Sequence, residues 1–264
     1  MLAAALSGAL ASGPWPAAAP AGAASPPRFD TVVVDAGHGG DDHGARGPKG
    51  LLEKELVLDL ARRVAAKLAA QGLTVVMTRD ADRFVTLEER TRIANAASPD
   101  LFISIHANAS SLQKVKGIET FFASPEATDE SARALAQREN LAFGASAARM
   151  AEGDPLRAIL GDLLATEHLA DAQEFAGMAQ RRLATAESSR SRGVKQAPFV
   201  VLMGVHSPAV LIEVGFLTNA KEESRLASRT ERERLVSGVA EAVAVFRARQ
   251  DARLGVAENG GGER

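Results

Sequence analysis

Cysteine is missing from all 264 residues. Disulfides and thiolate metal sites are thereby excluded, and any metal ligand has to come from histidine or a carboxylate. An excess of one charge is missing too: 31 Lys and Arg stand against 33 Asp and Glu, for a net charge of -2 and a pI near 6.2. That balance sets up no general basic field, so neither nucleic acid nor an anionic membrane is an expected partner. No stretch past the first residues approaches the ~18 apolar residues of a membrane span, and no internal repeat is evident. What is present suffices for a core. Hydrophobic residues make up 46% of the chain, which suits one generous domain, or one domain with an insertion and ragged ends.

The first 28 residues are rich in Ala, Leu, Ser, Gly and Pro, with an apolar stretch from Leu2 to Ala11 and small residues around Ala19-Pro20-Ala21. They resemble a secretory signal peptide and short linker, although the usual basic n-region is missing. That leaves two readings, a start downstream of the true one or a low-complexity tail; the expectation is an exported protein of the periplasm or cell wall. Residues 251–264 read as a disordered tail.

Between these ends the pattern alternates strand and helix. Thr31 to Val34 is a β-branched apolar run that empties into a glycine-dense loop carrying Asp35, His38, Asp41, Asp42 and His43. Glycines at 37, 39, 40 and 44 permit positive φ, so His38 can be aimed inward at something the loop surrounds, a metal being the expected occupant. An amphipathic helix follows from Glu53 to Gln71, then a buried strand in LTVVMTR, which makes a parallel βαβ crossover. Thr86 to Ala97 reads as a helix capped by Thr86, with Glu89 completing a capping box. LFISIHAN is a third strand ending in His106, and GIETFFAS a fourth.

From Pro125 to Arg192 the pattern is helical; FVVLMGVHSPAVLIEVGFLTN reads as two strands with Glu213 at the end of the second; a last helix spans Glu222 to Arg249. The fold class expected is α/β: a mixed, mainly parallel central sheet flanked by helices, with a helical insertion near the site. Parallel strand ends share one edge, so His38, His106 and Glu53 can meet there. His₂Glu is one of the common zinc sets in hydrolases, which leave a fourth place for water. The spacing is not that of the HExxH or HxxEH helix motifs.

DAGHGG, Glu53-Lys54, SIHAN and VLIEVGFLTN, in that order, resemble the zinc-dependent N-acetylmuramoyl-L-alanine amidases, the amidase_3 class of cell-wall hydrolases, from about Thr31 to Arg249. The resemblance implies a catalytic domain over residues 29–250, one Zn²⁺ per chain and cleavage of the amide between N-acetylmuramic acid and L-alanine in peptidoglycan. By motif position, His38, Glu53 and His106 match the zinc ligands and Glu213 the catalytic glutamate. The family's cell-division members carry an insertion whose helix covers the zinc, and residues 125–192 sit where it belongs. Glu139 is the candidate inhibitory fourth ligand, with Glu130 and Glu167 behind it.

The resemblance thus implies septal wall splitting, autoinhibition and an activator protein that displaces the helix; a monomer is expected. No separate wall-binding domain is read on either side of the core, so targeting is expected from the catalytic face, the inserted helices or a partner.

Weaker candidates complete the reading. Asp35 could bond a ligand imidazole or be a turn residue; Arg79 and Arg90 could hold substrate carboxylates or be structural. His43, His168 and His206 are expected to face solvent or satisfied partners rather than metal. The alternative function is a catalytically silent zinc-containing wall-binding or regulatory module, disfavoured by the intact His38, Glu53, His106 and Glu213. A phosphate-loop reading of DAGHGG fails for want of the Lys-Ser pair and because three acidic groups would repel phosphate.

Overall fold

The computed structural model describes residues 28–141, 166–184 and 190–255. Strands and helices follow in the order β1 (Thr31–Ala36), α1 (Glu53–Ala70), β2 (Thr74–Met77), α2 (Leu87–Ala97), β3 (Leu101–Asn108), β4 (Ile118–Ala123), α3 (Glu130–Leu141), α4 (Thr166–Leu183), β5 (Ser191–Ala197), α5 (Val200–Met203), β6 (Ala209–Phe216), α6 (Ala220–Ala227) and α7 (Arg229–Arg253). One six-stranded sheet has the order β2-β1-β3-β6-β4-β5. The pairs β2-β1, β1-β3 and β3-β6 are parallel, β6-β4 is antiparallel and β4-β5 is parallel. Four strands therefore run one way and two the other, the mixed, mainly parallel sheet expected.

Two apolar layers cover its faces. Val32, Val34, Leu101, Ile103, Val210 and Ile212 pack with α1, α4 and α7, while Val33, Phe102, Phe121 and Leu211 pack with α2, α3 and α5. The alternation is the period of two that a pleated strand dictates. The sheet centre is apolar on both sides, as a mainly parallel sheet between helices requires.

Several elements differ from the sequence reading. Phe199-Val200-Val201-Leu202-Met203 was expected as a strand and is a helical turn, closed by Met203 N donating to Phe199 O at 3.1 Å. Asn140 of α3 fixes it, accepting from Val200 N at 3.0 Å and donating to Pro198 O at 2.9 Å, so tertiary contact overrides β-propensity. SRGVKQA, which begins in the last two residues of the stretch read as helical and continues past it, is strand β5. The final helix is two, α6 and α7, meeting at Ser228. Helix α7 runs on to Arg253, so residues 251–253 are helical rather than tail. Strand β2 was expected to be buried but lies at the sheet edge and is partly exposed. The signal-like segment, most of the expected tail and residues 142–165 lie outside the described residues. Among the described residues no helix is long and apolar enough to cross a membrane.

Candidate metal centre and active site

On the face shared by α2 and α3, each central strand changes from apolar to polar along its length: Val33 then Asp35, Phe102 then Ser104 and His106, Leu211 then Glu213. Register sets Asp35 beside Ser104, His106 beside Glu213, and Glu213 beside Glu119 of the antiparallel β4. A row of polar and ionisable groups thus crosses the sheet, all of it buried, with Glu139 at the end of α3 set against His106.

His38 is added to this row from the loop after β1. Gly37 N still bonds Ile105 O at 3.1 Å, and Gly39 and Asp42 exchange backbone bonds of 2.9 and 3.2 Å, forming a tight turn. His38 itself takes φ 57, a left-handed conformation that costs a non-glycine residue about 1–2 kcal/mol and is kept where surroundings impose it. Its Nδ1 lies 2.9 Å from Asp42 Oδ2, which leaves Nε2 directed at the site. Glu53, first residue of α1, is fixed by Ala45 N donating to Oε2 at 2.7 Å and Ala107 N to Oε1 at 2.9 Å.

Gly37 is not in the positive-φ region, contrary to the expectation; it is required for space. A Cβ there would stand 2.4 Å from His106 Cε1. Gly44 combines both demands, with φ +64 and a Cβ position 2.6 Å from Glu53 Oε2 and His38 Cδ2.

The donor atoms cluster tightly. Glu53 Oε1 is 3.1 Å from both His38 Nε2 and His106 Nδ1, and Glu139 Oε2 of α3 is 3.3 Å from both. Ligands around a tetrahedral zinc at ~2.0–2.1 Å are separated by a tetrahedral edge of about 3.3 Å. Four of the six edges of such a cage are thus present at this length, and the donor atoms of His38, Glu53 and His106 lie within 4.8 Å of one another, a two-imidazole, one-carboxylate set of the kind that holds zinc. A second grouping joins His106, Glu139 and Glu213 within 4.8 Å of one another.

Electrostatics follow from this crowding. Burial lowers the His38 and His106 imidazoles, but the carboxylates of Glu53 and Glu139 outweigh it, holding His38 well above its ordinary value and His106 at about 10. Burial raises Glu139, yet the two imidazoles bring it down to about 2, and Glu53 is likewise held well below its usual range. A field that keeps protons on two buried imidazoles also favours a divalent cation in their place. Glu213 goes the other way. Burial raises it most, the His106 imidazole opposes this, and the Glu53 and Glu139 carboxylates add to the rise. Both its oxygens are buried without a hydrogen-bond partner among the described residues, a costly state for an ionised carboxylate.

The other candidates fall elsewhere. Asp35 accepts from Thr78 Oγ1 at 2.5 Å, Ser104 Oγ at 2.6 Å and Arg90 at 2.6 Å, and does not orient an imidazole; Asp42 does that for His38. The Asp42 signal was its place four residues past His38, across Gly39-Gly40. Arg79 and Arg90 are fully buried and directed at backbone carbonyls, out of reach of a substrate carboxylate. His43 and His206 are exposed and His168 half-buried, and neither metal grouping includes them. Glu130 pairs with Arg133 at the surface, and the side chain of Glu167 lies outside the described residues.

A sheet of this order, with imidazoles and carboxylates gathered on one face, defines an α/β enzyme with a buried His/Glu pocket. The family model for N-acetylmuramoyl-L-alanine amidase, Amidase_3, matches residues 32–245, and the chain belongs to that family of peptidoglycan hydrolases. It is 35% identical over 214 residues to N-acetylmuramoyl-L-alanine amidase AmiA of Escherichia coli K12, covering 80% of this chain and 74% of AmiA. The N-acetylmuramoyl-L-alanine amidase of Clostridium difficile 630 superposes with a TM-score of 0.64 at 28% identity, covering 83% of this chain and 97% of that one. AmiC2 of Nostoc punctiforme gives 0.63 at 28% identity, with coverage of 83% and 97%.

Proposed function

We propose that the chain is a zinc-dependent amidase, held inactive by its own helix α3, that cleaves the bond between N-acetylmuramic acid and L-alanine. The observation that carries the metal reading is the set of 3.1–3.3 Å separations among His38 Nε2, His106 Nδ1, Glu53 Oε1 and Glu139 Oε2. His38, Glu53 and His106 would hold the ion. When bound, zinc supplies a Lewis acid and lowers the pKa of a coordinated water toward neutrality.

Glu213 is the general base and acid in this reading. Its oxygens have no hydrogen-bond partner among the described residues, and its raised pKa suits a group that takes a proton from the attacking water and returns it to the leaving amine nitrogen. Glu213→Gln should keep bound zinc, measured by elemental analysis, and lose about 10²–10⁴-fold in release of stem-peptide amino termini from sacculi. A variant within tenfold of native activity would sink the assignment.

Glu139 Oε2 lies 3.3 Å from both imidazoles that would hold the ion, so in this reading its carboxylate stands where water must enter. Release of α3 by an activator protein would open the place, in keeping with septal wall splitting under control. Glu139→Ala should raise activity on purified sacculi without any activator by roughly tenfold or more, a shift of about 1.4 kcal/mol in the closed–open balance. No rise in a variant that still binds zinc would refute autoinhibition. Because peptidoglycan lies outside the cytoplasm, the reading includes export.

A further inference from the structure

We propose that Arg79 and Arg90 are positioning residues for His38: two buried guanidiniums that fix the backbone of the ligand loop in its left-handed turn before a metal arrives. The inference rests on His38 being a ligand.

As the chain leaves β1, the carbonyls of Ala36, Gly37 and His38 are buried in succession, and each needs a donor. Arg79 Nε donates to Ala36 O at 2.9 Å and its NH2 to Gly37 O at 2.7 Å. Arg90 NH1 donates to Ala36 O at 2.6 Å and its NH2 to His38 O at 2.7 Å. Three consecutive carbonyls are thus held by charged donors, in a loop whose His38 imidazole meets Glu53 Oε1 at 3.1 Å and the His106 ring at 5.0 Å between centroids.

The same pair ties the remaining ligand-bearing elements to this loop. Arg79 NH2 also donates to the carbonyl of Lys54, which directly follows the ligand Glu53, at 2.9 Å. Arg90 NH1 donates to Asp35 Oδ1 at 2.6 Å, and Asp35 Oδ2 accepts from Ser104 Oγ at 2.6 Å, two residues before His106. Loop, α1 and β3 therefore share one buried frame. A Cβ at Gly39 would meet the carbonyl of Arg83 at 2.2 Å and Arg79 Nε at 3.0 Å, so the loop lies close against this frame as well.

Cations beside a divalent metal site are unfavourable by Coulomb's law alone, and Arg79 is driven down to about 10 by burial and by Arg90. What recommends guanidinium is its rigid fork, which reaches several carbonyls at once; an ammonium on a flexible stem cannot reproduce that geometry.

The test measures zinc affinity of the full chain by chelator competition, in Arg79→Lys and Arg90→Lys against a control, Phe246→Leu, whose ring packs on Phe29 and Phe175. Loss of ligand-orienting partners weakens metal binding about 10- to 100-fold, and that rise in Kd is expected for both arginine variants while the control stays within about twofold. Folded arginine variants with native zinc affinity would overturn the proposal.

Should neither arginine variant fold, amide exchange in the native chain decides. The amides of Gly39, Asp42 and Gly44 should be protected to within about tenfold equally with and without zinc if the loop is set in advance. Protection that appears only on adding zinc would overturn it. A native chain that takes up no zinc overturns the metal reading itself, a result distinct from the other two.

Discussion

At the scale of the residue, the site was legible where a local signal accompanied the side chain. His38 sits among glycines, and Glu213 is an acid in the apolar run AVLIEV. Those patterns hold because a ring packed against backbone needs missing Cβ atoms, and a carboxylate on a buried strand needs a purpose. Asp42 carried only its place four residues past His38, and the bonds of Arg79 and Arg90 were hidden, since a hydrogen bond to a carbonyl leaves no trace in residue order. Gly37 gives the sharpest test. Alanine at this position puts a methyl 2.4–2.8 Å from three atoms of the His106 ring, with no strain in its own backbone. The ring must tilt away from Glu53 and Glu139. Gly37→Ala should therefore cost about 10- to 100-fold in zinc affinity, with a comparable loss of activity, as misoriented ligands do elsewhere. Retention of native affinity in chelator competition would show that the ring has room the geometry denies it.

At the scale of the element, strands with continuous β-branched runs were readable and β5 was not. SRGVKQA contains one β-branched residue and forms an edge strand because tertiary contacts reward it: Arg192 Nε and Lys195 Nζ reach the buried Glu119 of β4 at 2.8 and 2.7 Å. Lys195 also meets Asp129 at 3.1 Å, at the start of α3. Asp129 accepts from Ala132 N at 2.8 Å as an N-cap does, so the element that carries Glu139 is held at its start, while Asn140 ties its far end to Pro198 and Val200. Burial raises the Asp129 carboxyl, but Ser131, the Ala132 amide and Lys195 outweigh it and bring it from 3.8 to about 2. A lowered carboxylate pKa stabilises above the unfolded value and loses that contribution as pH falls through the folded one. Asp129→Ala should cost about 1 kcal/mol, the usual worth of such a cap. The difference from native should be full above pH about 4 and vanish near pH 2, read by thermal unfolding across pH. At neutral pH the variant should also show higher activity without an activator, because a frayed α3 presents Glu139 less often. Unchanged activity with lowered stability would separate the cap from the inhibition.

At the scale of the whole molecule, the candidate ligands come from segments far apart in the chain: the loop after β1, the start of α1, the end of β3 and the end of α3. Sheet order explains how they meet, since β1 and β3 are neighbours, β6 lies beside β3, and the reversal at β4 returns the chain so that α3 crosses the polar row. An ion bound there would link four elements that the unfolded chain does not hold together, so its binding free energy becomes folding free energy. At free zinc of 100 times Kd the gain is about 2.7 kcal/mol, which for a domain of this size raises Tm by about 5–11 °C. Chelation should remove that rise in the native protein, and His106→Ala should show none, because its loss leaves too few ligands to bind. Glu139→Ala should keep most of it, since His38, Glu53 and His106 remain. If Glu139→Ala instead lost the whole increment, the glutamate would be an obligatory ligand rather than a removable plug, and a helix whose departure expels the metal could not serve as the enzyme's switch.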